Sequence, residues 1–221
     1  MTVREVVDLA QNSELKNIAV GRENATVIGY INLGLIELYK RFPIETDEVV
    51  IRLGDPSDPC YISDTTYKMP NNYMGIIAAY DEQPDDSVSM IGNQIPINEE
   101  ENPESIMTMG FNKIQVPAAP YGAYISIIYS AGPSLIISSS LLDSSGNFIN
   151  DADIPLPYFM MEPLLHYIGY RGYLSLNADV NTDNNTHYMR FDASCRRILE
   201  LGLLTGDDVD ASIRFIDKGF V

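Results

Sequence analysis

The stretch Ile154–Tyr173, IPLPYFMMEPLLHYIGYRGY, decides how the chain is organised. It opens with prolines at 155, 157 and 163, which hold φ near helical values and lack the N–H that a first helical turn leaves unpaired. A helix is therefore expected to start near Met161 or Pro163. From there Leu164, Leu165, Ile168, Tyr173 and Leu176 leave little polar surface. A helix apolar nearly all round has to be covered by other elements or by other subunits. The stretch reads as a docking element and not as a reactive one.

Outward from it, the flanks give further helices and a β region between them. Thr2 followed by Glu5 is a capping-box pattern ahead of Val6, Val7, Leu9 and Ala10, which predicts a short helix over 3–11. From Glu23 to Phe42, Val27, Ile28, Ile31, Leu35, Leu38, Tyr39 and Phe42 recur at three- and four-residue spacing, and Pro43 ends this second helix. Beyond Pro43 the apolar period falls to two and turn residues multiply. Strands are expected at 48–53, 60–63, Tyr73–Tyr80, Gln94–Ile97, Ile106–Val116 and Ala123–Tyr129. On the C-terminal side, Asp183 or Asn184 is placed to cap a last helix. Its one face would carry Tyr188, Phe191, Cys195, Ile198 and Leu199, with Arg190, Arg196 and Arg197 elsewhere and Gly202 at the stop.

The expected fold class is thus α+β: a helical bundle formed by N- and C-terminal helices, with an inserted antiparallel β-sheet or small β-sandwich. The bundle takes residues 1–43 and 154–221, and the insert takes 44–153. Each helical end alone is too small to bury its apolar stripe, so the two ends are expected to meet. Within the insert, residues 81–104 hold eight acidic side chains and no basic one, broken by Pro84, Gly92, Pro96 and Pro103. They read as a solvated loop with one short strand, the alternative being a surface for a basic partner. The final GDDVDASIRFIDKGFV pairs an acidic start with Ile213, Phe215, Ile216 and Phe220, anchors for a tail that something else ties down.

Composition narrows the function classes. With 221 residues and 45% of them hydrophobic, the chain can bury roughly 70% of its unfolded surface without staples. A net charge of −17, from 31 acidic and 14 basic residues, argues against a nucleic-acid-binding surface. Cys60 and Cys195 are too few for a disulfide framework and favour a reducing, cytosolic setting, although a single bridge stays open. The N-terminus lacks the apolar run of a secretory signal, and no stretch approaches the roughly 20 apolar residues of a membrane span.

A search for chemistry finds no catalytic set, no metal site and no cofactor motif. There is no GxSxG elbow, Walker A loop, GxGxxG fingerprint or HExxH. His166 lies inside the apolar helix, as a packed or interface histidine does. Asp183 and His187 have the i,i+4 spacing of two metal ligands, but nothing completes the set, which leaves an N-cap and a surface histidine. His187 and Cys195, eight residues apart on one expected helix, are about 12 Å apart along its axis, too far for a thiol and its base. Tyr158, Tyr167, Tyr170 and Tyr173 cluster around the opening helix. They fit a core, and Tyr167, Tyr170, Arg171 and Tyr173 equally fit a subunit interface.

The helical ends, GYINLGLIELYKRF at 29–42, IPLPYFMMEPLLHYIGYRGY and FDASCRRILELGL at 191–203, with a β-rich middle, resemble the head-to-tail adaptor proteins of short-tailed bacteriophages, the tail tubular A proteins among them. The resemblance covers roughly half the chain and rests on element order and the phrasing at helix starts. It implies a structural virion protein, not an enzyme, assembled in the host cytoplasm as a homo-oligomeric ring of twelve copies at the head-tail junction. Such a ring joins the capsid portal protein to the tail nozzle protein, extends the DNA channel without binding DNA specifically, and in some members helps seat tail fibres. Ile213, Phe215, Ile216 and Phe220 would then form a portal-docking tail. A ring of such chains carries about −200 charges, and a channel of that sign lets DNA slide. Another tail or neck component and a β-sandwich carbohydrate-binding module are the rival readings; the lack of tryptophan weakens the second.

Overall fold

A computed structural model describes residues 1–18, 21–82, 93–117, 124–174 and 185–203. Those residues form an α+β protein, with five α-helices and seven strands in two antiparallel sheets. The chain divides into two compact units, Met1–Phe42 with Ser134–Val221, and Pro43–Pro133. The second unit therefore ends twenty residues before the expected limit at 153. Side-chain amides explain why 134–153 goes with the helices. Asn32 both donates to the Ile136 carbonyl and accepts from its N–H, each at 2.8 Å, and Asn24 donates to the Gly146 carbonyl.

In the first unit, α1 (Val3–Asn12) starts with the expected capping box: Thr2 Oγ1 accepts from the Glu5 N–H and Glu5 accepts from the Thr2 N–H. The chain start is also fastened to the stretch before the prolines, through Val3 N–H to Ala152 O and Ile154 N–H to Met1 O. Helix α2 (Asn24–Arg41) buries Val27, Ile31, Leu35 and Leu38 on one face and ends at Phe42, ahead of Pro43. A short α3 (Ser138–Leu141) was not anticipated from the sequence. Pro157 then leads into a 3-10 turn, Tyr158–Met160, which runs into α4 (Met161–Leu174) with Pro163 in its first turn.

Helix α4 packs against α1, α2 and α5 (Thr186–Glu200), and Glu162 is its one exposed residue. The cover that its apolar circumference demands thus comes from its own chain. Two glycines set how near these neighbours come. A Cβ on Gly34 of α2 would lie 2.6 Å from Leu164 Cδ1, and one on Gly169 of α4 would lie 2.7 Å from His187 Nδ1. Helix α5 is capped by Asn185, whose side-chain oxygen accepts from the His187 and Tyr188 N–H groups, not by Asp183 or Asn184, which lie outside the described residues. Phe191, Cys195 and Ile198 are buried on it, whereas Leu199, expected on the same face, is 61% exposed. One helical step of about 100° past Ile198 turns it outward.

In the second unit, β1 (Thr46–Arg52), β4 (Tyr73–Glu82) and β7 (Tyr124–Ala131) form one sheet in the order β1-β7-β4. β2 (Tyr61–Ser63), β3 (Thr66–Lys68), β5 (Met107–Gly110) and β6 (Lys113–Gln115) form the other in the order β2-β3-β6-β5. Ile51, Ile125 and Tyr129 of the first sheet share one apolar cluster with Tyr67, Ile106 and Ile114 of the second region. The strand expected over 106–116 is two strands, because Gly110 at φ 136° and Asn112 at φ 46° turn the chain back. Residues 94–97 pair only through isolated bridges, Tyr80 with Gln94 and Ile97 with Ile106.

Candidate functional site

The described residues of the first unit leave one face uncovered where α1, α4 and α5 meet. A groove of about 690 Å³ runs there, with Leu9, Phe159, Leu165, Ile198, Leu201 and Leu203 among its apolar walls. Leu9 lies at the edge of the buried stripe of α1, and Leu201 and Leu203 follow the end of α5; all three are more than 40% exposed. Beside it lies a recess of about 360 Å³ lined by Glu162, His166, Arg190, Ala193, Ser194 and Arg197. Glu162, His166, Ser194 and Arg197 belong to both, so the apolar groove and the polar recess are contiguous.

Both histidines of the chain converge on one carboxylate at the floor of this face. Glu14, in the turn after α1, is only 16% exposed. Its Oε2 is 2.8 Å from His187 Nδ1 and its Oε1 is 3.7 Å from His166 Nδ1. These are ion-pair contacts when an imidazole is protonated; the neutral rings have no well-directed hydrogen bond at Nδ1. His187 stacks on Tyr173 with ring centroids 4.8 Å apart. Burial holds its imidazole below the ordinary range; Glu14 works against that shift, and Arg190 and His166 add to it. His187 is therefore not the surface histidine that the sequence suggested. It lies partly buried between α4, α5 and the turn after α1.

A second network lies on α5. Arg41 pairs with Asp192 at 2.8 Å, donates to the Tyr188 hydroxyl, and sits 4.6 Å over the Phe191 ring. Arg196 takes the other oxygen of Asp192 at 2.7 Å. These two guanidinium groups hold the Asp192 carboxyl below the usual carboxylate range.

What this face can do chemically is limited. Burial pushes the Cys195 thiol up to about 11, so it stays protonated and non-nucleophilic at neutral pH. Cys60 is also a free thiol, raised by its half-buried position beside Asp58. Ser13 and Ser194 line the groove, but no hydrogen bond joins either to an imidazole among the described residues, and Ser13 donates to Leu9 O instead. The His166 nitrogens face Glu14 and Glu162, each at 3.7 Å. Among the described residues no group of three His, Cys, Asp or Glu side chains has the arrangement of a metal site. Asp183, the suggested partner of His187, lies outside them. No helix among the described residues is long and apolar enough to cross a membrane.

The residues expected at a subunit interface sit elsewhere. Tyr167 and Tyr170 are 8% and 6% exposed, with their rings packed edge-to-face on each other at 5.6 Å and against Phe191 and Tyr188. Little of either ring is left to offer a neighbouring subunit. Arg171 and Tyr173 are half-buried, Tyr173 against His187. Ile213, Phe215, Ile216 and Phe220 lie outside the described residues. Sequence reasoning missed Glu14, which sits in an unremarkable SELK turn. The signal that pointed to its neighbourhood was Gly169 with Gly172 inside a helix, a pair that costs helix stability unless something packs closely there.

No protein-family model matches this chain, and no curated protein matches it.

Proposed function

We propose that the protein is a structural, ring-forming head-to-tail adaptor, which joins a capsid portal to a tail nozzle and extends the DNA channel. The two chain ends form a helical scaffold and the β-rich segment between them is an insert within it. The observation that carries this reading is an apolar face on the helical unit with no chemistry of its own. Leu9, Phe159, Leu201 and Leu203 stay exposed beside a groove, while the thiol, serine and histidine groups nearby form no nucleophile–base pair. A face of that kind suits contact with a partner protein. The charge of −17 suits a channel that must not hold DNA.

In this reading the segment Asp207–Val221, with Ile213, Phe215, Ile216 and Phe220, docks on the portal. Co-sedimentation with purified rings of the cognate portal protein tests it. The full chain is expected to pellet with portal, and a chain ending at Gly206 is expected to stay in the supernatant. A full chain that never sediments with portal would sink the adaptor reading, and a truncated chain that binds equally well would remove the docking role of the segment alone.

A further inference from the structure

Arg190, Ala193, Ser194 and Arg197 fall at i, i+3, i+4 and i+7 of α5, so two arginines border a shallow, small-residue floor on one helix face. Both arginines are exposed. Neither has a carboxylate within ion-pair distance among the described residues, although Arg196 of α5 and Arg41 of α2 share Asp192. His166 adds a third basic group. Among the described residues that line the recess the one acid is Glu162, 67% exposed and turned to His166 Nε2 at 3.7 Å; Glu14, deeper, is engaged by His187. In a chain of net charge −17, this gives two cations without an ion pair among the described residues, next to an apolar groove.

We propose that this face receives an acidic segment of a partner protein that carries aliphatic or aromatic side chains. Its carboxylates would pair with Arg190 and Arg197, and its apolar side chains would lie against Leu9, Phe159, Leu201 and Leu203. The guanidinium groups offer the planar, forked donors that carboxylates accept. The exposed leucines supply the apolar area that gives such a contact most of its affinity. A nucleic acid fits less well: its long run of phosphates meets the repulsion of the whole acidic surface, and its backbone has no use for the leucine wall. A short peptide feels mainly the charges within about 8 Å, the screening length at physiological salt. The proposal does not depend on the adaptor reading, since it specifies the chemistry of the partner and not its place in a virion.

The test uses the full-length protein and a fluorescent synthetic peptide that alternates Glu or Asp with Leu and Phe. Anisotropy is expected to show binding that weakens with salt and falls by about tenfold or more for Arg190→Glu/Arg197→Glu. Leu201→Asp should weaken it as well, whereas Arg52→Glu in the other unit should leave it unchanged. A peptide with Lys in place of the acids should ignore the wild type and bind Arg190→Glu/Arg197→Glu, a rescue that no misfolded variant could give. The proposal is overturned if the acidic peptide does not bind, if its serine-for-leucine version binds as well, or if the arginine variants bind it unchanged. It is also overturned if the same variants instead abolish self-association of the free chain, which assigns the face to a second copy. Binding seen only after residues 204–221 are removed overturns it too, by assigning the face to the chain's own segment.

Discussion

The two units hold themselves together differently. Residues 43–133 carry fourteen acidic and three basic side chains, yet their shared interior is an apolar cluster built around Ile51, Ile114, Ile125 and Ile127. Its polar ties are phenol hydroxyls: Tyr129 donates to Asp47 at 3.0 Å, and Tyr67 accepts from the Gly54 N–H at 2.8 Å. The helical unit, with seventeen acidic and eleven basic residues, instead draws charge inward. Glu14 with its two histidines and Arg41 with Asp192 both lie where helices meet. Mild acid should therefore disturb the helices and spare the sheets, because His187, whose imidazole burial holds below its ordinary range, belongs to the helical unit.

The largest effect expected is that of Phe191→Ala. The ring is fully buried and touches Tyr167, Tyr188 and Arg41, so its removal should cost about 3–5 kcal/mol. Amide exchange should accelerate throughout α2, α4 and α5 while β7 keeps its protection. Equal loss in β7 would show that the units do not respond separately. Next comes Glu14→Gln, which takes away the carboxylate that faces both imidazoles; its cost in thermal or urea unfolding should be smaller than that of Phe191→Ala and should grow as pH falls.

The pH response follows from the His187 shift. Its folded-state pKa lies below the unfolded value near 6.5, so the unfolded chain binds the proton first. Stability of the helical unit is complete above about 6.5 and is lost as pH falls below it, through the lowered folded-state value. Glu14→Gln removes the charge that opposes the shift, so the acid loss should deepen. An acid response that becomes shallower in that variant would mean that Glu14 does not act on His187.

A smaller effect is expected in the other unit, where Tyr129→Phe removes hydroxyl bonds to Asp47 and Asn72 at about 0.5–1.5 kcal/mol. Burial and Asp47 hold the Tyr129 phenol above its ordinary value, so its contribution is complete below about 10 and is lost as pH rises beyond that. The smallest effect concerns labelling. Cys60, half-buried, should alkylate in the native protein before Cys195, which is 2% exposed.

How much of this was legible depended on how local the cause was. Helices α1 and α2 declared themselves through a capping box and a three-to-four-residue period. The apolar circumference of α4 correctly demanded cover. The identity of that cover was invisible, because Glu14 and His166 are 152 positions apart and only the folded chain joins them. Strands β2, β3 and β6 have three residues each, too short for alternation to register, and the Gly110–Asn112 reversal turned one expected strand into two. The tyrosines were recognisable as a cluster. Which way Tyr167 and Tyr170 pointed required the neighbouring helix, since Phe191 and Tyr188 receive them from α5. Likewise the lack of an ion pair at Arg190 and Arg197 among the described residues depends on the fold, in which Arg41 and Arg196 take up Asp192.

The claim that this chain is a ring-forming adaptor is tested most directly by electron microscopy of cognate portal rings saturated with the full-length protein. A second ring of protein density, repeated about twelve times around the portal axis, is the expected image. Portal rings that remain bare at saturating concentration would contradict it.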